Sequence, residues 1–508
     1  MTQWPVILDV GNVWTQILQC PQPLAQAIWD TAVVRTEVAE AIEDGAWRPP
    51  GAGLQAQWDG VVRFSWWDSR APGQGRIRTG LLDLVQDLAR AHGAAIHVQD
   101  SRIRPETGVP DFPALSLRPY QRNAVDAALR SGRGVLDMPP RAGKTRTAIE
   151  LTRSLWLPTV WIAPRTNICE QTLRAFDELC GKNFAVHHVG GGWRDIVNHH
   201  VVIMTENTAD MLPPEFWRTR EVLIVDEAHH AGSPRLHSIR DKAAHIYWFF
   251  GLTGTWGRSG NDLMALHAFM SNVVYRVTTT ELVAQGFLVP AQIAVIPVTG
   301  PRVPGSMGAM WFAAQGTGTR AIAEHDHRQA LVAWAAGLIA HTGRRVLVLV
   351  ATKAQGRDLV ERLRQLIPDP HPGTEFRPVE FVSTDRPKKI IRKILDSFNE
   401  HQEIRVLVGT SLVGEGTDLP ATDALVYAPG GKAEISHRQA FFRVGTAVEG
   451  KAYSIVVDFD DQHNDTTRDH SQERLNTYAN EPIATVTRLA SPGDLWAWLQ
   501  SRETPTPQ

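Results

Sequence analysis

The sequence predicts an α/β protein with two parallel-sheet lobes and a small α/β domain before them. In two separate blocks, short apolar strands alternate with helical stretches, a pattern typical of parallel sheets that are covered by helices on both faces. Residues 160–163 and 201–204 are such strands in the first block, and residues 346–350 and 405–408 in the second. The length of 508 residues agrees with about three domains.

The order of strands and turn-forming residues predicts where each part begins and ends. Gly286 and Pro290 close the first block, and a stretch containing glycine and proline, 299–318, follows as a linker or loop. The predicted parts are an N-terminal domain (1–110), a first lobe (111–298), a linker (299–324), a second lobe (325–462) and a C-terminal helical tail (463–508).

The composition argues against a membrane protein and against a disulfide-stabilised secreted protein. The apolar fraction of 43% is ordinary for a globular core. No uncharged apolar stretch reaches the roughly 18 residues of a membrane helix, and the N-terminus lacks the pattern of a signal peptide. The three cysteines are too few for a disulfide framework. We therefore expect a cytoplasmic protein with no membrane partner.

A phosphate-binding loop is predicted where the first strand of the first block ends. Gly-Lys-Thr follows the apolar segment 134–138, and Lys144 is the first lysine of the chain. In such a loop, backbone N–H groups hold phosphate oxygens, the lysine reaches the β- and γ-phosphates, and the threonine hydroxyl binds Mg²⁺. Met138 stands where the motif has its first glycine. The residues expected to contact the nucleotide here are Arg141, Ala142, Gly143, Lys144 and Thr145.

An acidic motif follows a later strand of the same block. The apolar run 222–225 predicts a buried parallel strand, and it ends in Asp226-Glu227-Ala228-His229. Chemistry in open α/β sheets takes place at the carboxyl ends of strands. We expect Asp226 to hold Mg²⁺ and Glu227 to orient and deprotonate the attacking water.

Together with these two motifs, shorter segments resemble those of superfamily 2 helicases and translocases of the DEAH/DExH type. Their order and spacing carry more weight than any one segment. The resemblance implies two RecA-like lobes with ATP between them. In chain order the matching segments are 117–121 (the adenine-reading Q motif), 161–165 (motif Ia), 203–207 (a DNA-backbone contact), 251–255 (motif III), 346–352 (motif IV), 408–418 (motif V) and 439–446 (motif VI).

The resemblance also implies roles for single residues. Adenine recognition falls to Arg118 and Gln121, whose amide can both donate and accept at a base edge. The residues implied to couple the ATP site to nucleic acid are His229, Thr253 and Thr255. The implied contacts to the nucleic-acid backbone are Arg165, Thr205 and Thr410. The second-lobe residues implied to act on the nucleotide are Gly416, Asp418, Gln439 and Arg443.

Motif VI departs from the family pattern Q-x-x-G-R-x-x-R. Gln439 and Arg443 match it, whereas Phe442 replaces the glycine and Thr446 the second arginine. The resemblance gives Arg443 the task of stabilising charge on the transferring phosphate. A hydroxyl at position 446 cannot supply a second positive charge, and we therefore expect slow ATP turnover.

The first 110 residues are rich in tryptophan and bear on the substrate. Their order, with a Trp-Asp-Gly hairpin at 58–60 before a Gly-Leu-Leu helix at 80–82, is similar to the N-terminal domain of phage UvsW-type helicases. Those enzymes, like the related XPB-type proteins, act on duplex and branched DNA. Exposed aromatic side chains stack on bases, whereas buried ones fill the core of a small domain. The tryptophans are Trp4, Trp14, Trp29, Trp47, Trp58, Trp66 and Trp67.

These observations favour an ATP-dependent DNA helicase or translocase that acts on duplex, forked or branched DNA in repair or recombination. Its expected cofactors are ATP and Mg²⁺, and contacts to phosphates predict little sequence specificity. We expect protein partners at the N-terminal domain or the C-terminal tail. Two alternatives stay open. One is an RNA helicase, since the core motifs do not separate DNA from RNA, and the other is a nucleic-acid remodelling protein with a weakened ATPase, for which motif VI is the reason.

Overall fold

A computed structural model gives the architecture of most of the chain. The residues that it describes are 5–35, 61–188, 199–230, 233–254, 263–299, 320–323, 325–369, 376–400, 403–410, 419–431, 444–448, 450–463 and 465–502. The chain forms two compact units, and each is described by itself below. One consists of residues 1–139 and 143–277, and the other of residues 140–142 and 278–508.

The first unit begins with a small α/β domain. Its strands are β1 (Val6–Val10), β2 (Trp14–Gln19), β3 (Val33–Arg35), β4 (Val61–Arg63), β5 (Ser65–Trp67), β6 (Gly75–Arg78) and β7 (Ile96–Asp100), and its helices are α1 (Gln22–Thr31) and α2 (Leu82–Ala91). The main sheet has the order β5-β6-β2-β1-β7, while β3 and β4 form a separate pair. Buried and half-buried residues alternate along β1, because successive side chains of a strand point to opposite faces. Val6 and Leu8 thereby share one core with Ile28 and Val85 of the two helices.

The rest of the first unit is a seven-stranded parallel sheet flanked by helices. Its strands are β8 (Arg133–Asp137), β9 (Thr159–Ala163), β10 (Val186–His188), β11 (Val201–Thr205), β12 (Val222–Asp226), β13 (Trp248–Thr253) and β14 (Val273–Arg276). Its helices are α3 (Pro119–Ser131), α4 (Lys144–Leu155), α5 (Thr166–Cys180), α6 (Glu206–Met211), α7 (Pro214–Trp217), α8 (Pro234–Lys242) and α9 (Leu263–Met270). The sheet order is β10-β11-β9-β12-β13-β8-β14. All five residues of β9 are buried, as expected for a strand covered on both faces.

The small domain packs on this sheet domain through buried polar contacts. The Asn12 carbonyl oxygen accepts hydrogen bonds from Arg240 (2.8 Å) and Arg133 (2.9 Å), both of which are almost fully buried. Arg78 forms an ion pair with Asp241 at 2.7 Å. Buried guanidinium groups need such partners, since an unsatisfied buried charge is costly. The two domains of the first unit are therefore joined by specific contacts.

A glycine marks the closest approach between these two domains. A Cβ atom on Gly80 would lie 2.0 Å from the carbonyl oxygen of His267 in α9. The backbone cannot move away without separating the domains, so any side chain at position 80 would disrupt the contact. Gly80 belongs to the Gly-Leu-Leu segment, whose local role is thus to let a 3-10 turn (Thr79–Leu81) pack against α9.

The second unit contains another seven-stranded parallel sheet. Its strands are β15 (Ala291–Val298), β16 (Val346–Leu349), β17 (Val379–Val382), β18 (Val406–Gly409), β19 (Ala424–Tyr427), β20 (Ser454–Asp461) and β21 (Ala484–Arg488). Its helices are α10 (Thr279–Ala284), α11 (Arg320–Ala323), α12 (Asp326–His341), α13 (Lys353–Leu366), α14 (Lys388–Glu400), α15 (Asp465–Ala479) and α16 (Asp494–Gln500). The sheet order is β17-β18-β16-β19-β20-β15-β21, with every pair parallel. The expected fold class, two RecA-like lobes with a small α/β domain, is confirmed.

Two predicted boundaries differ from the strand pairing. Residues 291–298, assigned from sequence to the first lobe, form β15 and pair with β20 and β21 of the second sheet. The stretch 463–508, expected to be a helical tail, supplies β21 to that sheet together with two helices. Strand membership depends on pairing between distant segments, which local turn signals cannot reveal. Among the helices of the described ranges, none combines the length and apolar character that crossing a membrane requires.

Candidate functional site: nucleotide-binding loop and carboxyl edge of the first lobe

The residues predicted from sequence meet at one edge of the first-lobe sheet. Neighbouring strands β12, β13 and β8 end at the acidic motif, at Thr253 and at the phosphate-binding loop, respectively. The adjacent strands β9 and β11 end just before Arg165 and at Thr205. Open parallel sheets bind their ligands at this carboxyl edge. The sheet order therefore brings the nucleotide motifs and two predicted nucleic-acid contacts to one side of the lobe.

The phosphate-binding loop lies between β8 and α4. Arg141 and Gly143 adopt left-handed backbone conformations, with φ of 70° and 76°, and such residues beside helical ones form the N–H nests that hold anions. Lys144 is the first residue of α4, and its Nζ donates to the Met138 carbonyl oxygen at 3.4 Å. This hydrogen bond thus joins the last residue of the loop to its first. Ala142 is buried within the loop.

Met138, which replaces the first glycine of the motif, is accommodated by the sheet. Its side chain is fully buried, and its N–H donates to the Thr253 carbonyl oxygen at 2.8 Å. The methionine therefore continues the ladder between β8 and β13 and packs into the core. The loop keeps its connection to motif III despite the missing glycine.

Gln121 lies against the phosphate-binding loop. It is buried in the first turn of α3, and its Oε1 accepts from the Arg118 N–H at 3.0 Å. Its Nε2 is so close to Gly143 that a Cβ atom there would lie 2.3 Å away. The structure thus brings both predicted adenine-contacting residues next to the loop. Adenine recognition by this pair stays a prediction.

Glu150 is a residue of this region that the sequence reasoning missed. It is fully buried in α4, where its carboxylate accepts from the Leu115 N–H (2.9 Å), from Arg122 (3.1 Å) and from Arg153 (2.8 Å). Burial acts to raise the pKa of Glu150, but these hydrogen bonds outweigh it and hold that pKa below its usual value. Glu150 thereby fastens the segment before α3 to the helix that follows the loop. A glutamate inside an amphipathic helix carries no sequence signal for this role.

The acidic motif forms a strained corner at the end of β12. Glu227 has a left-handed backbone (φ 50°), which is uncommon for a residue with a side chain and often marks a functional site. Its N–H donates to Asp226 Oδ1 at 2.9 Å. Burial and the neighbouring Glu227 charge raise the pKa of Asp226 well above its usual value, while the nearby Lys144 ammonium opposes that rise. A cation beside Asp226 would favour its charged form.

A hydrogen bond joins the acidic motif to motif III. His229 Nδ1 lies 3.0 Å from Thr253 Oγ1 and 3.3 Å from Glu227 Oε2. The imidazole therefore connects the candidate general base to the end of β13. The contact joins the acidic motif to the neighbouring strand, and the coupling role of His229 and Thr253 stays a prediction. Thr255, the third predicted coupling residue, lies outside the described residues.

The two predicted nucleic-acid contacts of the first lobe lie at helix N-termini. Arg165 precedes α5 and is exposed, and Thr205 precedes α6, where its hydroxyl accepts from the Thr208 N–H at 3.4 Å. Helix N-termini present N–H groups and a partial positive charge, and both favour phosphate oxygens. Because β9 and β11 are parallel neighbours in register, with Ala163 beside Thr205, these sites lie side by side.

The second lobe presents fewer of its predicted site residues. Thr410 follows β18 and is half-buried. Gly416, Asp418, Gln439 and Arg443, and also Phe442, lie outside the described residues, and their roles stay predictions.

The end of motif VI is held by hydrogen bonds. Lys451 Nζ donates to the carbonyl oxygens of Val444 and Thr422, both at 2.6 Å. The Val289 N–H donates to the Gly445 carbonyl oxygen at 3.0 Å, and Thr446 forms a backbone bridge with Leu288. Position 446 is therefore held by its backbone.

The N-terminal tryptophans divide into two kinds. Trp14 and Trp66 form an edge-to-face pair with ring centroids 4.7 Å apart, and the Arg76 guanidinium lies 4.6 Å from the Trp14 centroid and 5.5 Å from that of Trp66. Trp66 is 42% exposed, whereas Trp67 packs against the core of the domain. Among the described tryptophans, Trp66 offers the largest exposed ring surface of this domain. Trp4, Trp47 and Trp58 lie outside the described residues.

Two family matches coincide with the two lobes. Residues 114–258 match the type III restriction enzyme res subunit family, and residues 329–447 match the helicase conserved C-terminal domain. The first match spans the phosphate-binding loop and the acidic motif, and the second spans motifs IV to VI. The chain is a superfamily 2 helicase.

Relatives and solved structures agree with this family. The DNA 3'-5' translocase XPB2 of Sulfurisphaera tokodaii is 23% identical over 372 residues, which are 66% of this chain and 79% of that protein. The ATP-dependent type ISP restriction-modification enzyme LlaBIII, solved bound to DNA, is 16% identical with a TM-score of 0.55, over 80% of this chain and 34% of its own. At such identity the structural likeness shows the helicase fold alone.

T4 UvsW aligns with most of the chain. It covers 96% of this chain and 99% of its own at 16% identity, with a TM-score of 0.44. The assignment to superfamily 2 rests on the two family matches and on the similarity to XPB2. The expected membership among superfamily 2 helicases of the XPB kind is confirmed. Membership of this superfamily implies an ATP-dependent hydrolase of the helicase type, whereas the DEAH subtype stays a prediction.

Proposed function

We propose that this superfamily 2 helicase is an ATP-driven DNA translocase or helicase of the DEAH subtype that acts on duplex, forked or branched DNA. One observation carries the proposal. The candidate base Glu227 is joined through His229 to Thr253 at the same sheet edge that holds the phosphate-binding loop and the Arg165 and Thr205 helix ends. Such a connection suits an enzyme that converts the state of a nucleotide into movement along a strand.

The residues of the loop supply nucleotide binding. The N–H groups of residues 141–144 receive phosphate oxygens, and Lys144 leaves the Met138 carbonyl to contact the β- and γ-phosphates. Glu227 orients and deprotonates the attacking water. Adenine is held beside the loop by Gln121 and Arg118, and the hydrogen bond from the Arg118 N–H to Gln121 Oε1 keeps the amide in place.

The donors present fit Mg²⁺. This ion takes oxygen ligands and keeps several waters, and it is usually bound by one or two carboxylates together with substrate phosphates. Asp226 and the Thr145 hydroxyl supply such oxygens, and the described residues hold no cluster of three or more His, Cys, Asp or Glu that would bind a metal without phosphate. Mg²⁺ supplies charge neutralisation on the phosphates when bound. A positive charge beside Asp226 would oppose the burial that raises the pKa of this carboxyl and would favour its ionised form.

DNA is favoured as the track. XPB2 is named a DNA translocase, and LlaBIII was solved on DNA. Arg165, Thr205 and Thr410 would grip phosphates of one strand, and contacts of this kind carry little sequence information. Trp66 at the surface of the N-terminal domain would stack on a base at a fork or junction, because aromatic stacking does not depend on base identity. Protein partners would bind the N-terminal domain or the C-terminal stretch.

The departures in motif VI favour slow turnover. The family pattern places two arginines at this motif, and here Arg443 is the single arginine among positions 443 and 446. Thr446 is held in a backbone bridge with Leu288, and its short side chain has no charge to contribute. A remodelling protein with a weakened ATPase is therefore the second candidate.

ATP turnover measured separately with duplex DNA, forked DNA, single-stranded DNA and RNA tests the proposal. Glu227→Gln should lower the rate about 10²–10⁴-fold while ATP still binds, since it removes a general base. Lys144→Ala should abolish turnover by removing the phosphate contact. Lys182→Ala and Glu178→Gln are matched controls on exposed positions of the same lobe and should behave like wild type.

Each outcome separates the candidates. Stimulation by DNA with little response to RNA supports the proposal, and stimulation by RNA alone would replace it with an RNA helicase. DNA binding with negligible turnover in the wild-type protein would favour the remodelling protein. A Glu227→Gln variant that hydrolyses ATP at the wild-type rate would remove Glu227 as the base.

A further inference from the structure

A basic pocket lies at the open edge of the second-lobe sheet. β17 is the edge strand, and α13 packs beside it, so that a pocket of about 590 Å³ opens between them. Arg357 and Arg364 of α13 line it together with Arg386, which follows β17. The volume falls within the roughly 300–1,000 Å³ typical of small-ligand sites. A single nucleotide unit of a longer strand would fit there.

The floor of the pocket is apolar and is fixed by a glycine. Val360 and Phe381 form it, and a Cβ atom on Gly356 would lie 2.3 Å from the Phe381 ring. The absence of a side chain at position 356 lets the ring pack against the helix backbone. Three arginines and one acidic residue, Glu361, line the walls, so the pocket combines an apolar floor with a net positive lining. This combination suits the sugar and phosphate of a polynucleotide.

The positive charge of the pocket is only partly neutralised. Arg364 donates to the Val379 carbonyl oxygen at 3.2 Å. Burial lowers the pKa of Arg364, and the neighbouring Arg377 and Arg386 lower it further against the opposing effect of Glu380. Clustered guanidinium groups of this kind are stabilised by an added anion.

The ion pair of Arg357 can give way to a phosphate, whereas that of Arg386 with a buried carboxylate is retained. Arg357 meets Asp385 at 3.4 Å, and both side chains are at least half exposed, so the pair is worth little. Arg386 meets the buried Glu380 at 3.1 Å. The segment 353–393 contains ten Lys and Arg residues and six acidic residues, in a chain whose net charge is −2. The positive charge is therefore concentrated at this edge.

The pocket adjoins the predicted nucleic-acid contact of the same lobe. Val382, the last residue of β17, pairs with Gly409, the residue before Thr410. Arg386 therefore follows the strand that neighbours the Thr410 strand. A nucleic-acid strand that passes Thr410 and continues over this edge of the sheet would reach the three arginines next.

We propose that Arg357, Arg364 and Arg386 form a phosphate site for a DNA arm that continues beyond the Thr410 contact. The site rests on the proposed function, because it needs a nucleic-acid track in the same lobe. It would lengthen the footprint of the second lobe on DNA and would read charge without sequence. An acidic peptide carries similar charge, but it lacks the sugar ring that the apolar floor of Phe381 and Val360 accommodates.

The test compares two charge-reducing changes on the same helix. Arg357→Gln combined with Arg364→Gln removes two guanidinium groups from the pocket. Arg362→Gln is the matched control, since Arg362 lies on α13 but forms ion pairs with Asp358 (2.9 Å) and Asp326 (2.6 Å) instead of lining the pocket. The full chain is used throughout, and circular dichroism and melting temperature check that each variant is folded. The probes are a forked DNA with long arms and a short single strand.

The double variant should bind the long-armed DNA about tenfold or more weakly at low salt. The slope of log affinity against log salt should fall by about 2, since each lost phosphate contact contributes about 0.9. The short strand should lose much less affinity, and the control should keep the wild-type slope.

An unchanged slope in the double variant, or an equal loss in Arg362→Gln, would overturn the site. The site would also be overturned if polyglutamate bound the wild-type protein but not the double variant, while both proteins bound DNA equally. The pocket would then be a peptide site. Failure of the proposed function is seen separately in the wild-type protein, as the absence of DNA-stimulated ATP turnover.

Discussion

Substitution of Gly143 by alanine would test how the phosphate-binding loop and the Q-motif segment depend on each other. The change adds a Cβ atom at a left-handed position (φ 76°), which costs about 1–2 kcal/mol for a residue with a side chain. The new atom would also lie 2.3 Å from Gln121 Nε2. Relief of that contact requires Gln121 to move and to lose its hydrogen bond to the Arg118 N–H, at about 1 kcal/mol. The total is about 2–3 kcal/mol.

Hydrogen exchange of the first turn of α4 measures this cost locally. The Thr147 N–H donates to the Gly143 carbonyl oxygen at 3.0 Å, and its protection reports the stability of the turn. Gly143→Ala should lower that protection about 30- to 150-fold, since 1.4 kcal/mol corresponds to a factor of ten. In a Gln121→Ala background the same change should lower it only about five- to thirty-fold, because the backbone cost alone remains. The affinity for ATP should follow the same order.

Equal effects of Gly143→Ala in both backgrounds would refute the reasoning. The loop would then not depend on contact with Gln121. A full wild-type protection in Gly143→Ala would show in addition that the left-handed conformation is not required.

Three further outcomes are expected. Burial lowers the pKa of His237 to about 4. Below about pH 6.5 the unfolded protein therefore binds a proton that the folded protein does not bind, and the free energy of unfolding should fall by up to about 3 kcal/mol as pH drops from 6.5 towards 4. The melting temperature of His237→Gln should depend less on pH over this range. Trp66→Ala should weaken binding to forked DNA by about 1–3 kcal/mol. Trp496→Ala is the control, with a similarly exposed ring (43%) in the other unit, and it should leave that binding unchanged. Equal effects of the two substitutions would contradict a stacking role. Arg443→Ala should abolish the remaining ATP turnover, since an arginine finger is worth about 10³–10⁵ in rate, and Thr446→Arg should raise the maximal rate; a wild-type rate in Arg443→Ala would assign the finger elsewhere.

Deletion of residues 1–110 is a poorer test of substrate preference than Trp66→Ala. The Asn12 carbonyl oxygen satisfies Arg240 and Arg133, which are buried in the interface with the first lobe. The deletion would remove the hydrogen bond from Arg133 to Asn12, whereas Arg240 would keep its bonds to the carbonyl oxygens of Ala243 (2.7 Å) and Ile246 (3.1 Å). A buried charge that loses a partner is strongly destabilising. A truncated chain would therefore report on stability as well as on DNA. The point variant changes the exposed ring and leaves that interface intact.

The nucleotide motifs and the fold class could be predicted from the sequence because their signals are local. The Gly-Lys-Thr turn and the Asp-Glu-Ala-His strand end are runs of consecutive residues, and the alternation of apolar strands with helices repeats along the chain. Their order predicted that Lys144, Asp226 and Glu227 belong to one site. That prediction needed only the rule that parallel strands end at the same edge.

Contacts between distant residues depended on the tertiary structure. His229 and Thr253 are 24 positions apart and meet because β12 and β13 are neighbours. Glu150, Asn12 and the arginine pocket have no local signal, since each depends on which strands and helices pack together. Membership of β15 and β21 in the second sheet was hidden for the same reason. Hydrogen-bonded pairing joins segments from any part of the chain, whereas periodicity reports only on the faces of one segment. The sequence by itself thus determined the local chemistry, and the packing decided which residues support it.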